Sequence, residues 1–351
     1  MMRTSFHDVR GAVAAPRATG WVLLVTLAAR LATAETSPAK PTVVILPAGI
    51  SGVEIQRALD SLPAAGGEVI LPAGKFEIHQ PIVLCRDHQS LSGAGATTIL
   101  HLAENANCPV IIMGEPVNNP TREVQDLCLS GLFIDGNCVH QGRELWRLSG
   151  EGSQIRNNGI TVQGVSGSSV ENVTTAHCRS GGLVTARSVR FLTVDGFESF
   201  ANEFDGLACY ETEKCIFKNL NLHDNPGAGI SLDLAFDHNV ISNAVLVAND
   251  LGIFMRASRE NQFYDISIRE SRHHGVFMAH SEELTAGGWI PTPDTECTHN
   301  AFTNLIAMNC GGAAFRVNNT TCTNNFLIRA KFAGNLKGGL SLAQPNLLTV
   351  R

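Results

Sequence analysis

The chain has 351 residues, a net charge of −6, 33 glycines and only 17% charged residues. This length suits one large domain or two ordinary ones, and it is enough to bury a substantial core. The slight excess of acidic residues disfavours a nucleic-acid partner, because proteins that bind nucleic acids normally carry a basic stripe. It also disfavours a strongly cationic groove.

Residues 1–34 have the pattern of a secretory signal peptide. Basic residues precede the apolar run 21–29, and small residues at 32–34 suit a cleavage site. The apolar run is too short to span a bilayer. Arg30 is atypical for a signal peptide and keeps a cytoplasmic protein with an amphipathic leader as the alternative.

We therefore expect a secreted or periplasmic protein that has no membrane partner after the signal is cleaved. The predicted organisation is a linker over residues 35–50 and a single folded domain over 51–351. The sequence leaves the oligomeric state open.

A short helix is predicted at the start of the domain. Residues 51–60 have helical character, and Ser51 can cap the first turn. Two strands are then predicted within 66–78, on either side of a Pro-Ala-Gly turn. A helix over the first coil would cover an otherwise open sheet edge.

Short apolar strands that begin with glycine recur along the rest of the chain. Six of these glycines are separated by 23 or 24 residues, and a seventh follows after 37, which places an inserted loop within 282–296. One period cannot bury its own apolar face, so the periods must stack as a parallel β-helix. The glycines are Gly159, Gly182, Gly206, Gly229, Gly252, Gly275 and Gly312.

Asparagine and aspartate recur in two further columns. We expect their side chains to form hydrogen-bonded ladders along the stack, with a structural rather than a functional role. One column consists of Asn172, Asp195, Asn219, Asn243, Asp265 and Asn304, and the other consists of Asn202, Asn225, Asn249 and Asn309.

The N-terminal segment resembles the start of the pectate-lyase-like superfamily. The resemblance rests on an Ile-Gln pair in the helix and on the Val-x-Leu-Pro-x-Gly turn that follows, and it extends from about Val53 to Ala330. It implies an all-β fold, a single-stranded right-handed parallel β-helix with a short N-terminal capping helix. The period gives about 23 residues per coil.

Alternation within each strand separates core positions from outer-face positions. Counting the glycine as zero, offsets one and three are apolar in most of these strands and should face the core. Offset four then places Tyr210, Asp233 and Arg256 on the outer face of three consecutive coils. Since stacked strands lie about 4.8 Å apart, the three groups should reach one sugar ring.

Further substrate contacts are expected beside this column. Offset five carries Arg187, Glu211 and His280, whereas offset two carries two phenylalanines on which the C–H face of a sugar ring can stack. The predicted catalytic residues are Tyr210, Asp233, Arg256 and His280, and the predicted substrate-binding residues are Arg187, Glu211, Phe254, Phe277 and Arg316.

This set of side chains suits a reaction at a uronate. An arginine can bind and neutralise the carboxylate, which acidifies the C5 hydrogen. Tyr210 or His280 can transfer protons if a nearby cation lowers its pKa, and Asp233 can orient Arg256 or polarise the tyrosine. The prediction is a secreted carbohydrate-active protein that acts on a uronate-containing polysaccharide by β-elimination or C5-epimerisation.

Residues 202–278 also resemble the catalytic β-helix of bacterial mannuronan C5-epimerases. They share the aspartate at offset four, here Asp233, and the turn His-Asp-Asn at 223–225. One coil earlier the epimerases carry Gly-Phe-Asp-Pro-His, whereas this chain has Gly-Leu-Ala-Cys-Tyr, with Ala208 and Tyr210 in place of aspartate and histidine. A match to Phe204-Asp205 instead breaks the glycine register, so a lyase or another specificity stays open.

Two other functions stay open. Glycoside hydrolysis needs two carboxyl groups flanking the scissile bond, and Asp233 with Glu211 or Asp205 can supply them. Pectin hydrolases with a β-helix resemble this architecture, but their paired-aspartate and Gly-His-Gly signatures are absent from the sequence. The other alternative is a non-catalytic glycan-binding or adhesion β-helix, in which the polar column is a solvated ion pair.

No cofactor or tightly held metal is expected. The sequence has no EF-hand or repeat-type calcium motif, and Asp205, Glu211 and Asp233 would form only a loose oxygen site for weakly bound calcium. Ten cysteines fit an exported protein without establishing disulfides. Cys297 and Cys322 are expected to stack within bridging distance in adjacent coils.

Overall fold

A computed structural model describes residues 42–142, 156–285 and 288–351 of the protein. The predicted signal peptide and residues 35–41 of the predicted linker lie outside these ranges. Thr42–Ile45, inside the segment predicted as linker, forms a strand that pairs in parallel with Gly67–Ile70. The boundary at residue 51 was therefore wrong, because the sheet already begins at Thr42.

Two long parallel sheets, called sheet 1 and sheet 2, contain nearly all the strands. Sheet 1 consists of Thr42–Ile45, Gly67–Ile70, Gln89–Ser92, Cys128–Asp135, Ser169–Ala176, Thr193–Phe200, Ile216–His223, Val240–Val247, Gln262–Arg269, Ala301–Met308, Asn325–Ile328 and Leu348–Val350 in spatial order, with Gly74–Ile78, Thr98–Leu102 and Lys331–Ala333 beside them. Sheet 2 consists of Ile82–Leu84, Ile111–Met113, Ile160–Gln163, Leu183–Ala186, Leu207–Glu213, Ala228–Asp237, Leu251–Met255, Val276–Met278, Phe315–Val317 and Leu340–Leu342, with Val124–Gln125, Val165–Ser166, Val189–Arg190 and Ser258–Arg259 beside them.

The pairing follows the predicted register through the glycine coils of sheet 2. Ile160 pairs with Leu183, and the same row continues through Leu207, Ile230 and Ile253. All five side chains are fully buried, as are those at offset three of the same strands. The predicted parallel β-helix is confirmed, with about 24 residues per turn.

The helix Gly52–Ser61 covers the first coil, as expected. The Ser51 N–H donates to Glu54 Oε2 at 2.8 Å, which satisfies one of the free N–H groups at the helix start. Ile55 and Leu59 are fully buried against the coil below. Gln56 ties the helix to the strand Ile82–Leu84, because its Oε1 accepts from the Val83 N–H at 2.7 Å.

Buried asparagines form two hydrogen-bonded ladders, each Nδ2 donating to the Oδ1 of the next coil. In the predicted column, Asn202, Asn225 and Asn249 are linked by bonds of 3.0 and 2.9 Å. A second ladder was not recognised as a column in the sequence, and it links Asn239, Asn261, Asn300 and Asn325 through bonds of 3.2, 2.9 and 3.1 Å.

Two members of the predicted columns stand one residue away from them. Gly196, not Asp195, aligns with Asn172 and Asn219 at a left-handed bend, where its φ is +67°. Asp195 nevertheless takes part in the predicted ladder at the surface, because its Oδ1 accepts from Asn219 Nδ2 at 2.6 Å. Asn309 lies one residue before the column of buried ladder asparagines that contains Asn249, and Cys310 occupies the position in that column instead. The bend selects glycine or asparagine for its positive φ, so alignment by residue type alone was off by one.

The insertion contains an antiparallel hairpin, formed by Glu282–Thr285 and Gly288–Pro291. Beyond it the register differs from the prediction by two residues, because Val276 pairs with Phe315 and Phe277 with Arg316. This alignment turns Phe315 and Val317 inward, so a larger apolar area is buried than the glycine alignment would allow. Arg316 therefore pairs with Phe277 at offset two instead of following Ala279 at offset four, so its predicted position was wrong.

Cys297 and Cys322 lie in adjacent coils, as predicted. Both are fully buried, and the Cys297 N–H is 3.4 Å from Cys322 Sγ. All ten cysteines fall within the described ranges and are free thiols.

Candidate functional site

The offset-four side chains are the last of each straight segment in sheet 2. Tyr210 pairs with Asp233, and the pairing register shifts immediately after Tyr210. The next residue on each coil has a left-handed backbone conformation, with φ of +57° at Arg187 and +47° at Glu211. The chain therefore bends after offset four, which sets the column at the rim of the sheet face.

A cavity of about 290 Å³ opens beside this column. It brings together Tyr210, Asp233 and Arg256 from three consecutive coils, as predicted. Two further charged residues join them, because Arg156 and Asp205 also line the cavity. The remaining wall consists of Ser180, Gly181, Val184, Phe204, Ala208 and Leu234.

Asp233 and Arg256 form a two-pronged ion pair. Arg256 Nε lies 3.0 and 2.9 Å from the two carboxylate oxygens, and Nη2 donates to Oδ2. The Leu234 N–H also donates to Asp233 Oδ1 at 2.8 Å. Asp233 is only 6% exposed whereas Arg256 is 37% exposed, and the hydrogen bond to Asp233 raises the pKa of Arg256 above its usual range. The aspartate thus fixes the arginine, whose Nη1 has no hydrogen-bond partner among the described residues.

Asp205 enters the cavity from the turn before the strand Leu207–Glu213. Removal from water raises the pKa of its carboxyl to about 6, although a hydrogen bond from the Ala228 N–H, at 2.6 Å, opposes the rise. Gly227 makes room for this carboxyl, since a Cβ there would come within 2.5 Å of Asp205 Oδ1. A carboxyl with this pKa can accept or donate a proton near neutral pH.

Tyr210 is held in its protonated form. Burial raises the pKa of its phenol well above the usual range, and the neighbouring Asp205 carboxyl raises it further. Arg156 acts in the opposite direction but is outweighed. The expectation that a cation lowers the pKa of Tyr210 was therefore wrong, because burial dominates.

His280 does not reach the cavity. Its Nδ1 lies 2.7 Å from Thr321 Oγ1, and its Nε2 lies 2.7 Å from Asn319 Nδ2 and 3.0 Å from Glu282 Oε1. These contacts hold the ring next to the start of the inserted segment at Glu282. The structure therefore separates His280 from the other three predicted catalytic residues.

Arg187 and Glu211 are also outside the cavity. Their side chains form an ion pair with Arg187 Nη1 3.2 Å from Glu211 Oε1, and Arg187 Nε donates to the Asn118 carbonyl. They follow offset four, so the left-handed bend carries them around the corner of the coil. Glu211 is thereby separated from Asp205 and Asp233 as a carboxyl partner or as a calcium ligand.

The predicted aromatic shelf is present. Phe254 and Phe277 stack with ring centroids 6.0 Å apart, and both rings are partly exposed. Arg256 lies over the Phe254 ring at 5.6 Å from the centroid, so the shelf continues directly from the cavity.

Sequence reasoning overlooked Arg156 and gave Asp205 only a secondary role. Both residues precede a glycine of the repeat, Gly159 or Gly206, by one to three positions. The turn before each glycine therefore supplies side chains to the same face as offset four. A search of the residues just before the glycine column would have found them.

Within the described ranges, no group of three or more His, Cys, Asp or Glu residues is arranged to hold a metal ion. The absence of a tightly held metal stays a prediction. None of the helices in this part of the chain has the length and apolar character needed to cross a membrane.

The chain belongs to the family of right-handed beta helix regions, which matches residues 158–288 and 201–350. No curated protein sequence matches it. Many solved structures are similar in fold, among them the three that follow. The mannuronan C-5 epimerase AlgE6 A-module of Azotobacter vinelandii is 16% identical, with a TM-score of 0.51 over 86% of this chain and 93% of that one.

The other two neighbours have higher TM-scores and lower identity. The family 28 exopolygalacturonase of Yersinia enterocolitica is 13% identical, with a TM-score of 0.59 over 89% of this chain and 79% of that one. An alginate lyase from a Paenibacillus strain is 8% identical, with a TM-score of 0.60 over 88% and 99%. At these identities the likeness concerns the fold.

Proposed function

We propose that the cavity binds a uronate residue of a polysaccharide and acts on it by β-elimination or C5-epimerisation. One observation carries the proposal: a fixed arginine, a protonated phenol and a carboxyl with a pKa of about 6 line the same cavity. The names of the three structural neighbours refer to mannuronan, alginate and polygalacturonate, which are all uronate polymers. A polymeric substrate also agrees with the export expected from residues 1–34.

The arginines bind the substrate carboxylate. Arg256 offers Nη1 while Asp233 holds its Nε and Nη2, and Arg156 adds a second guanidinium to the wall. Neutralising the carboxylate lowers the pKa of the C5 hydrogen, because the carbanion formed there can spread onto a charge-paired carboxylate.

Asp205 and Tyr210 divide the proton transfers. Above its pKa of about 6, Asp205 is ionised and takes the C5 hydrogen as a proton. In β-elimination the bond from C4 to the glycosidic oxygen then breaks, a double bond forms between C4 and C5, and Tyr210 protonates the leaving oxygen. In epimerisation Tyr210 instead protonates C5 from the opposite face, and the sugar keeps its linkage.

The carboxyl in this site comes from an unusual position. The epimerases that this chain resembles carry an aspartate where Ala208 stands. Ala208 leaves space in the cavity wall, and Asp205 occupies the same cavity from three residues upstream. The function of the aspartate is therefore proposed to have moved from the strand to the turn.

Hydrolysis is the second candidate, and one observation favours it. Asp205 and Asp233 line the same cavity in different surroundings, which is the arrangement that separates an acid from a base in glycosidases. However, both oxygens of Asp233 already accept hydrogen bonds from Arg256, and one also accepts from Leu234. This engagement suits a positioning residue better than a base that activates water.

The test is incubation with mannuronan, alginate and polygalacturonate in deuterated water, with a neutral glucan and the Tyr210→Phe variant as controls. We expect either the ultraviolet absorbance of an unsaturated uronate or deuterium at C5 with the opposite configuration. New reducing ends without that absorbance would establish hydrolysis instead. Binding with no chemical change on any polymer would reduce the protein to a glycan-binding module.

A further inference from the structure

A second groove lies on the same face of sheet 2, beyond the aromatic shelf. Its volume is about 430 Å³, and its walls include His274, Phe277, Arg316, Asn318 and Lys337. Arg316 pairs directly with Phe277 in the next coil, three coils from Asp233. At about 4.8 Å per coil, this separation is roughly 14 Å along the helix axis.

Arg316 is fixed in direction without being neutralised. Its Nη2 donates to Asn318 Oδ1 at 2.8 Å, and its Nη1 donates to Ser341 Oγ at 3.0 Å. Both partners are uncharged, and no carboxylate pairs with Arg316 among the described residues. Each Nη carries two N–H groups, so one on each is left for a planar anion.

His274 contributes a donor of defined orientation. Its Nδ1 accepts from the Ala313 N–H at 2.9 Å, so the neutral ring carries its proton on Nε2. The ring stacks on Phe277 with centroids 5.5 Å apart and an angle of 15° between the planes. Burial lowers the pKa of His274, and the charge of Arg316 lowers it further, which keeps the ring neutral at neutral pH.

Lys337 adds a second cation to the groove, and its charge also acts on His274. Asp250 is the acid at the rim, and its Oδ1 lies 2.8 Å from His273 Nδ1. The groove thus combines a neutral N–H donor, an aromatic face and two cations, neither of which forms an ion pair with a carboxylate of the described residues. The protein as a whole, in contrast, carries a net charge of −6.

We propose that this groove is a second carboxylate-binding subsite, which holds a uronate of the same polymer chain whose reacting residue occupies the cavity. The identity of the polymer rests on the proposed function. Arg256 and Arg316 flank the stacked rings of Phe254 and Phe277, so the polymer lies along the helix axis. Its sugar faces rest on the rings, and its carboxylates bind at both ends.

The subsite is tested by the length dependence of binding. Mannuronate and galacturonate oligosaccharides, as disaccharides and hexasaccharides, are titrated calorimetrically into the full chain carrying Tyr210→Phe, so that no turnover intervenes. Arg316→Ala/Lys337→Ala is compared with Arg329→Ala/Lys331→Ala. The second pair removes the same charge from exposed positions in the last coils of sheet 1.

We expect the groove variant to bind at least one of the hexasaccharides about 10-fold more weakly than the matched control, since each lost contact is a charge-assisted one. Disaccharide binding should be the same in both variants. Equal hexasaccharide affinities in the two variants, or no binding of either hexasaccharide by the parent protein, would overturn the subsite. Selective loss of hexasaccharide binding in the groove variant, together with no turnover of any polymer by the protein with Tyr210 intact, would keep the subsite and reject the proposed reaction.

Discussion

Asp205→Asn should make the protein more stable at neutral pH, although it removes a group assigned to the reaction. The pKa of Asp205 rises from 3.8 to about 6 on folding. The folded state then binds this proton more tightly than the unfolded state, so stability falls as the pH rises from about 4 to about 6 and stays lower above that range. A rise of about two units corresponds to about 3 kcal/mol at 1.36 kcal/mol per unit.

The asparagine variant has no carboxyl to ionise, and its amide oxygen can still accept from the Ala228 N–H. Its free energy of unfolding should exceed that of the parent by up to about 3 kcal/mol at pH 8 and by little at pH 4. The assay is urea unfolding followed by circular dichroism across this pH range. Asp60→Asn is the matched control, because Asp60 Oδ1 also accepts a hydrogen bond, from Gln56, but at the exposed helix surface. Parallel pH profiles for the parent and Asp205→Asn would refute the environment assigned to Asp205.

Three further outcomes are expected. Tyr210→Phe should lower kcat by about 100-fold or more while Kd for an oligouronide changes little, because the phenol acts as an acid and not as a binding group; a drop in binding alone would contradict this role. Asp233→Ala should cost about 2 kcal/mol in urea unfolding, less than for a fully buried pair since Arg256 is partly exposed, and adding Arg256→Ala should recover part of that loss. Asn225→Ala should lower the free energy of unfolding by about 2 kcal/mol, because its ladder partners lose their hydrogen bonds. Asn221→Ala, at an exposed position, should lower it by less than about 0.5 kcal/mol. Equal losses in the two variants would show that the ladder does not stabilise the fold.

The fold was accessible from the sequence because its determinants are local and repeated. Each coil carries the same apolar alternation, and stacking in parallel brings equal offsets together, so the neighbours Tyr210, Asp233 and Arg256 followed from counting. Where an insertion interrupts the repeat, residue counting no longer predicts which residues pair in adjacent coils. The coil of Arg316 was aligned by its glycine, whereas burial of Phe315 and Val317 decided the actual register.

The cavity itself was less accessible, since it depends on backbone direction at single residues. Arg187, Glu211 and His280 share an offset, but the left-handed bend turns the first two away. His280 is held elsewhere by contacts with Glu282, Asn319 and Thr321. Asp205 and Arg156 come from turns, where no strand alternation indicates the direction of a side chain. The raised pKa of Tyr210 depends on its burial and on the nearby Asp205, and the position of a residue within the repeat predicts neither of these.

The proposed site is tested most directly by a crystal structure of the Tyr210→Phe variant with a bound oligouronide. We expect one sugar in the cavity with its carboxylate on Arg256 or Arg156, and with its C5 hydrogen directed at Asp205. A sugar bound elsewhere on the coil, or one that presents its carboxylate to solvent and its C5 hydrogen away from Asp205, would show that the cavity does not act as proposed.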